Sequence, residues 1–112
     1  MPIANCFYAP SLDLQISQSS SIIDQWANYS EQDASLMTVN FIQTERQHGN
    51  AYFVIAELSL PSQWPQTSIS KVQLGLAKAL TETLSIETHQ VLVMTTLIES
   101  GLIVENGQEI NW

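Results

Sequence analysis

A chain of 112 residues with 45% hydrophobic and 12% charged side chains has the size and apolar content of one domain with a single core. Eleven acidic residues face three Lys and Arg, a net charge of −8. That balance lacks the clustered cations nucleic acid or an anionic membrane surface needs, and offers little to attract a strongly anionic substrate.

The lone Cys6 allows neither an internal disulfide nor a CxxC metal site, and reads as a small buried hydrophobe. No apolar run approaches the ~20 residues of a membrane span, and no charged segment followed by an apolar one reads as a signal peptide. A soluble cytoplasmic protein, with no nucleic-acid or membrane partner, is therefore expected. The scarcity of charge beside many Gln, Ser and Thr residues suggests that some neutral surface is buried by oligomerisation.

Taken in order, residues 2–8 are apolar and aromatic and predict a strand. Pro2 at its first position costs no internal ladder bond. Residues 9–16 read as a linker opened by Pro10. Ser17 to Ser21 offer N-caps, and Ile22, Ile23 and Trp26 at helical spacing predict a helix over about 19–29. The polar patch 30–33 ends it. Residues 36–45 predict a strand with Met37, Val39 and Phe41 facing inward. Arg46 to Asn50 form a turn. Residues 51–60 are the most apolar strand of the chain, interrupted by Glu57 and Ser59, and residues 61–66 form a proline-bracketed loop.

A second helix starts at a Thr67 or Ser68 cap and carries the stripe Ile69, Val72, Leu76, Ala79, Leu80 and Leu84. After a short connection at 85–89, residues 91–97 predict a central strand. Asn106-Gly107 between short apolar runs is the strongest local hairpin signal of the sequence.

The order is βαββαβ followed by a small hairpin, an α+β chain. An offset of about 52 residues places Ile3-Ala4 on Ile55-Ala56 and Val39 on Val91. One domain, 1–112, is expected, with βαβ halves at about 2–48 and 51–100 and a hairpin at 101–112. Two architectures fit. One is a ferredoxin-like sandwich, whose second and third strands pair as a hairpin. The other sets two pseudo-symmetric βαβ halves into a four-stranded sheet under two helices, closed around a trimer axis.

Pro2 carries the chemistry. If Met1 is removed, Pro2 becomes a free secondary amine, able to act as base or nucleophile where an internal proline cannot. Met-Pro opening a strand, the doubled βαβ order, and the passage Ser70-Lys71-Val72 through Leu84-Ser85-Ile86 to Val91 together resemble the tautomerase superfamily, nearest the macrophage migration inhibitory factor and 4-oxalocrotonate tautomerase groups. The resemblance spans the whole chain in element order. It implies a cofactor-independent homotrimer acting on a small enolisable carbonyl compound, with Pro2 as general base for a keto–enol shift. An apolar pocket would lower the pKa of that amine.

Ile3, Met37, Phe41, Val93 and a neighbouring subunit's Trp112 are the expected walls. The cations that such proteins use to hold a substrate carboxylate do not carry over cleanly. The lysine position before the second strand falls at Gln32-Asp33. The arginine position opening that strand lies nearest Asn40, and Arg46, the only arginine, follows a few residues later. Asn40 and Arg46 are thus the substrate-binding candidates, with Trp64 as a lid or stacking residue. The alternatives are a catalytically weak homologue of the same fold or a ferredoxin-like ligand-binding module.

The remaining polar residues point to no other chemistry. His48 and His89 lie far apart in loops without the HxxxH or HExxH spacing of metal ligands, and no metal site is expected. Glu57 interrupts an apolar strand, so it faces solvent or an interface. Lys71 sits in the first turn of the second helix, where a cation opposes the helix dipole.

Overall fold

The computed structural model of the chain describes residues 1–14 and 21–112. Its elements are β1 (Ile3–Tyr8), α1 (Ile22–Ser30), β2 (Thr38–Gln43), β3 (Val54–Pro61), α2 (Gln66–Leu84), β4 (Val91–Ile98), β5 (Ile103–Glu105) and β6 (Gln108–Ile110). Short 3-10 turns at Ala34–Leu36 and Thr88–Gln90 lead into β2 and β4. Ser19 and Ser20, where the first helix was expected to start, lie outside the described residues.

One mixed sheet has the order β2-β1-β3-β4, and β5 with β6 forms a separate two-stranded ribbon. β1 runs parallel to β2 and β3 parallel to β4, while β1 and β3 meet antiparallel at the centre. Because β1 separates β2 from β3, these two strands form no hairpin, and the ferredoxin-like sandwich is excluded. The register corrects one detail of the repeat. Val39 lies opposite Ala4 and Val93 lies opposite Ala56, so Val93, not Val91, is the counterpart of Val39.

Each helix forms where an apolar stripe can meet the sheet. Ile22, Trp26 and Ala27 are buried on α1, and Ile69, Val72, Leu76, Ala79, Leu80 and Leu84 on α2. They cover Ala4, Cys6, Val54, Ala56, Leu58 and Leu60 from the two central strands. Between the helices, the Trp26 indole N–H donates to the Val72 carbonyl at 2.9 Å. That bond satisfies the one polar atom of a fully buried ring. The helices approach closely at Gly75, where an added Cβ would stand 2.8 Å from the Ser30 hydroxyl oxygen.

Both helices stop on a left-handed residue, Glu31 at φ 57° and Ser85 at φ 54°. The following amides, Gln32 and Ile86, then reach back to the Ala27 and Thr81 carbonyls at 3.1 Å. These are the long bonds of a Schellman stop.

The boundaries differ from the sequence pattern where local side-chain bonds intervene. The Asp33 carboxylate accepts from the Ser35 N–H at 3.0 Å and the Ser35 hydroxyl at 2.8 Å. Residues 34–36 therefore wind into a turn and β2 begins at Thr38. The Gln47 side chain donates to the Tyr52 carbonyl at 3.0 Å and accepts from the Tyr52 N–H at 3.1 Å. That clamp holds the approach to β3 outside the sheet, so the strand starts at Val54. Pro65, not Thr67 or Ser68, occupies the N-cap of α2, and its carbonyl accepts the Ser68 and Ile69 amides, each at 3.0 Å. The Asn106-Gly107 step makes the expected tight turn, with φ 54° and 74°.

The sheet face away from the helices carries a row of Asn40, Asn5, Glu57 and Met94 in register, polar except for Met94, beside an apolar row, Ile42, Phe7, Ile55 and Leu92. Glu57 is exposed on this face, and Ile42 and Met94 are 41% and 47% exposed.

Candidate active site

Pro2 stands immediately before β1. Its ring is fully buried, and its carbonyl accepts the Thr38 N–H at 3.0 Å, tying it to the start of β2. Because β3 runs antiparallel to β1, Ser59 is paired with Ile3 and the C-terminal end of β3 reaches the same place. β4 follows β3 in parallel and brings Ile98 beside Pro61. The chain then turns into the β5–β6 ribbon, whose Leu102 and Ile103 close the far side.

A cavity of about 200 Å³ results, with Met1 and Ile3 on one wall, Leu60, Pro61 and Ile98 on another, and Leu102 and Ile103 opposite. Ser59 contributes its only side-chain hydroxyl. Burial here holds the Met1 amine below its ordinary value, and the Glu105 carboxylate partly opposes that shift.

The ribbon is strapped to the body beside this cavity. Ser62 donates its hydroxyl to Glu99 at 3.2 Å and accepts the Trp112 indole N–H at 3.3 Å. The Trp112 amide donates to the Ser100 hydroxyl at 2.8 Å, and Gly101 N–H donates to the Ile110 carbonyl at 2.9 Å. Trp112 thus contacts the loop after β3 of its own chain.

Of the expected walls, Ile3 lines the cavity. Met37, Phe41 and Val93 do not, because the strand pleat turns them toward the helices, where Met37 is buried and the other two pack against the core. Trp64 lies in the loop after β3, at the Pro2 end of the sheet, with its ring packed against the same core. Asn40 is exposed on the open face, donating to the Asn5 side chain at 2.9 Å. Arg46 is exposed beyond Gln43, which pairs with Tyr8 at the opposite end of β1 from Pro2. Within one chain, Pro2, Asn40 and Arg46 do not converge.

The two lysines are occupied on the helical side. Lys71 bridges to Glu31 at 2.5 Å, and Lys78 lies 4.4 Å over the Tyr29 ring, whose hydroxyl donates to Glu82. Cys6 is buried with its thiol pushed up to about 12, which leaves it no reactive thiolate.

Sequence reasoning missed Ser59, Leu60, Pro61, Ile98, Leu102 and Ile103. The signal available was pairing parity: once β1 and β3 are antiparallel partners, Ser59 must face the same side as Ile3. A second cavity, about 250 Å³, lies at the other end of the sheet between Pro10, Ser11, Tyr52, Phe53 and Gln90. Gln47 borders it with its amide already spent on the Tyr52 backbone.

No protein-family model matches the chain, and no curated protein matches it in sequence. Solved structures match it in shape. A fused 4-OT described as a symmetric trimer superposes with a TM-score of 0.78 at 11% identity, over 96% of this chain and 94% of that one. N1, a member of the cis-3-chloroacrylic acid dehalogenase family, gives 0.74 at 12% identity, over 96% and 82%. The macrophage migration inhibitory factor of Toxoplasma gondii gives 0.68 at 12% identity, over 96% and 99%. The chain therefore has the tautomerase fold: a four-stranded mixed sheet, two helices and a small antiparallel hairpin.

Proposed function

We propose that the chain is a cofactor-independent tautomerase in which Pro2, freed by removal of Met1, is the general base for keto–enol proton transfer on a small carbonyl compound. The observation that carries this reading is that Met1 and Ile3, the residues on either side of the buried Pro2, both line an apolar cavity. Met1 is itself part of the cavity wall, so its removal would leave the Pro2 nitrogen as the chain terminus beside that cavity. A desolvated amine there favours its neutral form, as burial already does for the Met1 amine. Neutral Pro2 would accept a proton from one site of the substrate and return it to another, so no oxidant or cofactor enters the balance. The fold shared with 4-OT supports the enzymatic reading.

The working unit we propose is a homotrimer. Ile42 and Met94 on the open sheet face, and Leu102 and Val104 on the ribbon, are apolar and exposed in the single chain. The trimers described for fused 4-OT support that arrangement. Among the described residues, no helix is long and apolar enough to cross a membrane, and a cytoplasmic setting fits the free amine such a base requires. The absence of a lysine or arginine from the cavity lining favours, as a second reading, a ligand-binding protein of the same fold with weak catalysis.

Intact-mass spectrometry and a proton-exchange assay separate the two. The mass should fall one methionine short of the full sequence, and exchange of protons alpha to a carbonyl should depend on Pro2. A retained Met1, or equal rates in wild type and Pro2→Ala, would rule out a mechanism that needs the Pro2 secondary amine.

A further inference from the structure

We propose that the cavity lined by Met1 and Ile3, the residues flanking Pro2, selects an uncharged, apolar carbonyl compound and turns carboxylates away, with Ser59 as the donor to the substrate's carbonyl oxygen. This rests on the reading that Pro2 is the reacting base. It departs from an anion-binding site because of what lines the cavity. Ile3, Leu60, Pro61, Ile98 and Ile103 present hydrocarbon, and the Ser59 hydroxyl is the one polar side-chain group among them.

Two carboxylates lie beside the cavity. Glu105 acts on the amine at Met1, and Glu99 is held on Ser62 beside Pro61. The chain's three Lys and Arg residues are elsewhere. Lys71 is on Glu31 and Lys78 over Tyr29, both on the helical side, while Arg46 lies past the far end of β1. Six strand residues at ~3.3 Å each put Arg46 roughly 20 Å or more from Pro2 along one chain. A carboxylate entering here would give up its hydration with no cation of the same chain to receive it. A neutral carbonyl compound loses little, and its oxygen can accept from Ser59.

The chemistry balances without a co-reactant. Pro2 nitrogen takes a proton from the α-carbon, the C–H electron pair becomes the enol double bond, and the carbonyl oxygen gains negative charge against the Ser59 O–H. Return of a proton from Pro2 or water restores the ketone.

The test uses 2-oxobutanoate and its methyl ester, each rate divided by that compound's exchange rate with free proline, because the ester also has the more acidic C3 protons. Exchange of the C3 protons in D2O is followed by NMR, with protein shown by mass to lack Met1. The expected kcat/KM is at least about 100-fold higher for the ester. Ser59→Ala should lower the ester rate about tenfold, mainly in kcat, and Glu105→Gln should narrow the ester-to-acid ratio several-fold. Equal or reversed preference, with both rates lost in Pro2→Ala, would overturn the substrate class and leave Pro2 as the base. Exchange that survives in Pro2→Ala, or no exchange on either compound, would overturn the base and the substrate class together. An unchanged ratio in Glu105→Gln would overturn exclusion by charge.

Discussion

A proline nitrogen is chemically silent inside a chain and basic at its end, so the proposed function rests on one bond, Met1–Pro2. General base catalysis of this kind contributes typically ~10²–10⁴-fold. Pro2→Ala is expected to lose about that much kcat/KM, with the fold retained because β1 pairing begins at Ile3. Met-Pro opening an apolar strand singled out Pro2 as a candidate from sequence. The cavity between Met1 and Ile3 was not readable in the same way. Ser59 and Ile98 arrive through long-range strand pairing, and Leu102 and Ile103 through the path of the ribbon, neither of which leaves a local pattern. Arg46 drew notice because cations are rare here, and rarity says nothing about which end of a strand a residue occupies.

The elements themselves were legible wherever burial on one face imposes a period. The α2 stripe and the Asn106-Gly107 turn are the clearest cases. Their ends were less so, since single hydrogen bonds decide them. Asp33 is one such residue. Its bonds to Ser35 hold the Asp33 carboxyl below its ordinary value. A lowered carboxyl pKa stabilises the fold above the unfolded-state value, and that contribution is lost as pH falls through the folded value. The melting temperature of Asp33→Ala should therefore fall below wild type near neutrality, and the gap should close in acid.

Ser85 makes a second test at this scale. It is exposed and left-handed at φ 54°, a conformation glycine adopts without the penalty of a Cβ. Ser85→Gly is expected to raise stability by about 0.5–1 kcal/mol, measured by denaturant unfolding. Gly75→Ala tests the helix seam, where two forces oppose. Alanine gains up to ~1 kcal/mol of helix propensity. Its Cβ would nevertheless meet Ser30 Oγ at 2.8 Å and Tyr29 Cβ at 3.2 Å, deep between packed helices. Overpacking of that kind costs ~1–3 kcal/mol, so net destabilisation is expected, partly relieved by adding Ser30→Ala.

At the scale of the whole molecule, one side of the sheet is covered and the other is not. The helices bury Ala4, Cys6, Ala56 and Leu58, while the reverse face and the ribbon leave Met94, Leu102 and Val104 in solvent. The element order made the layers legible from sequence. Which strand stands beside which did not follow from element order alone, because pairing order is a property of the assembled sheet; the resemblance to the tautomerases implied the arrangement observed. Light scattering should give three times the 12.5 kDa chain mass. Met94→Asp, which adds a charge beside Glu57 on the open face, should shift the protein toward monomer. A wild-type protein that runs as a monomer at micromolar concentration would argue against assembly through this face.

The central claim is that Pro2 is a neutral base held in an apolar cavity, and its own nitrogen reports on that most directly. In protein labelled with 15N-proline, the Pro2 signal can be titrated by NMR after mass spectrometry has shown Met1 to be absent. A midpoint below the ~8 of an ordinary terminal amine is expected, with activity rising along the same curve. A midpoint at or above that value would contradict a desolvated base at Pro2.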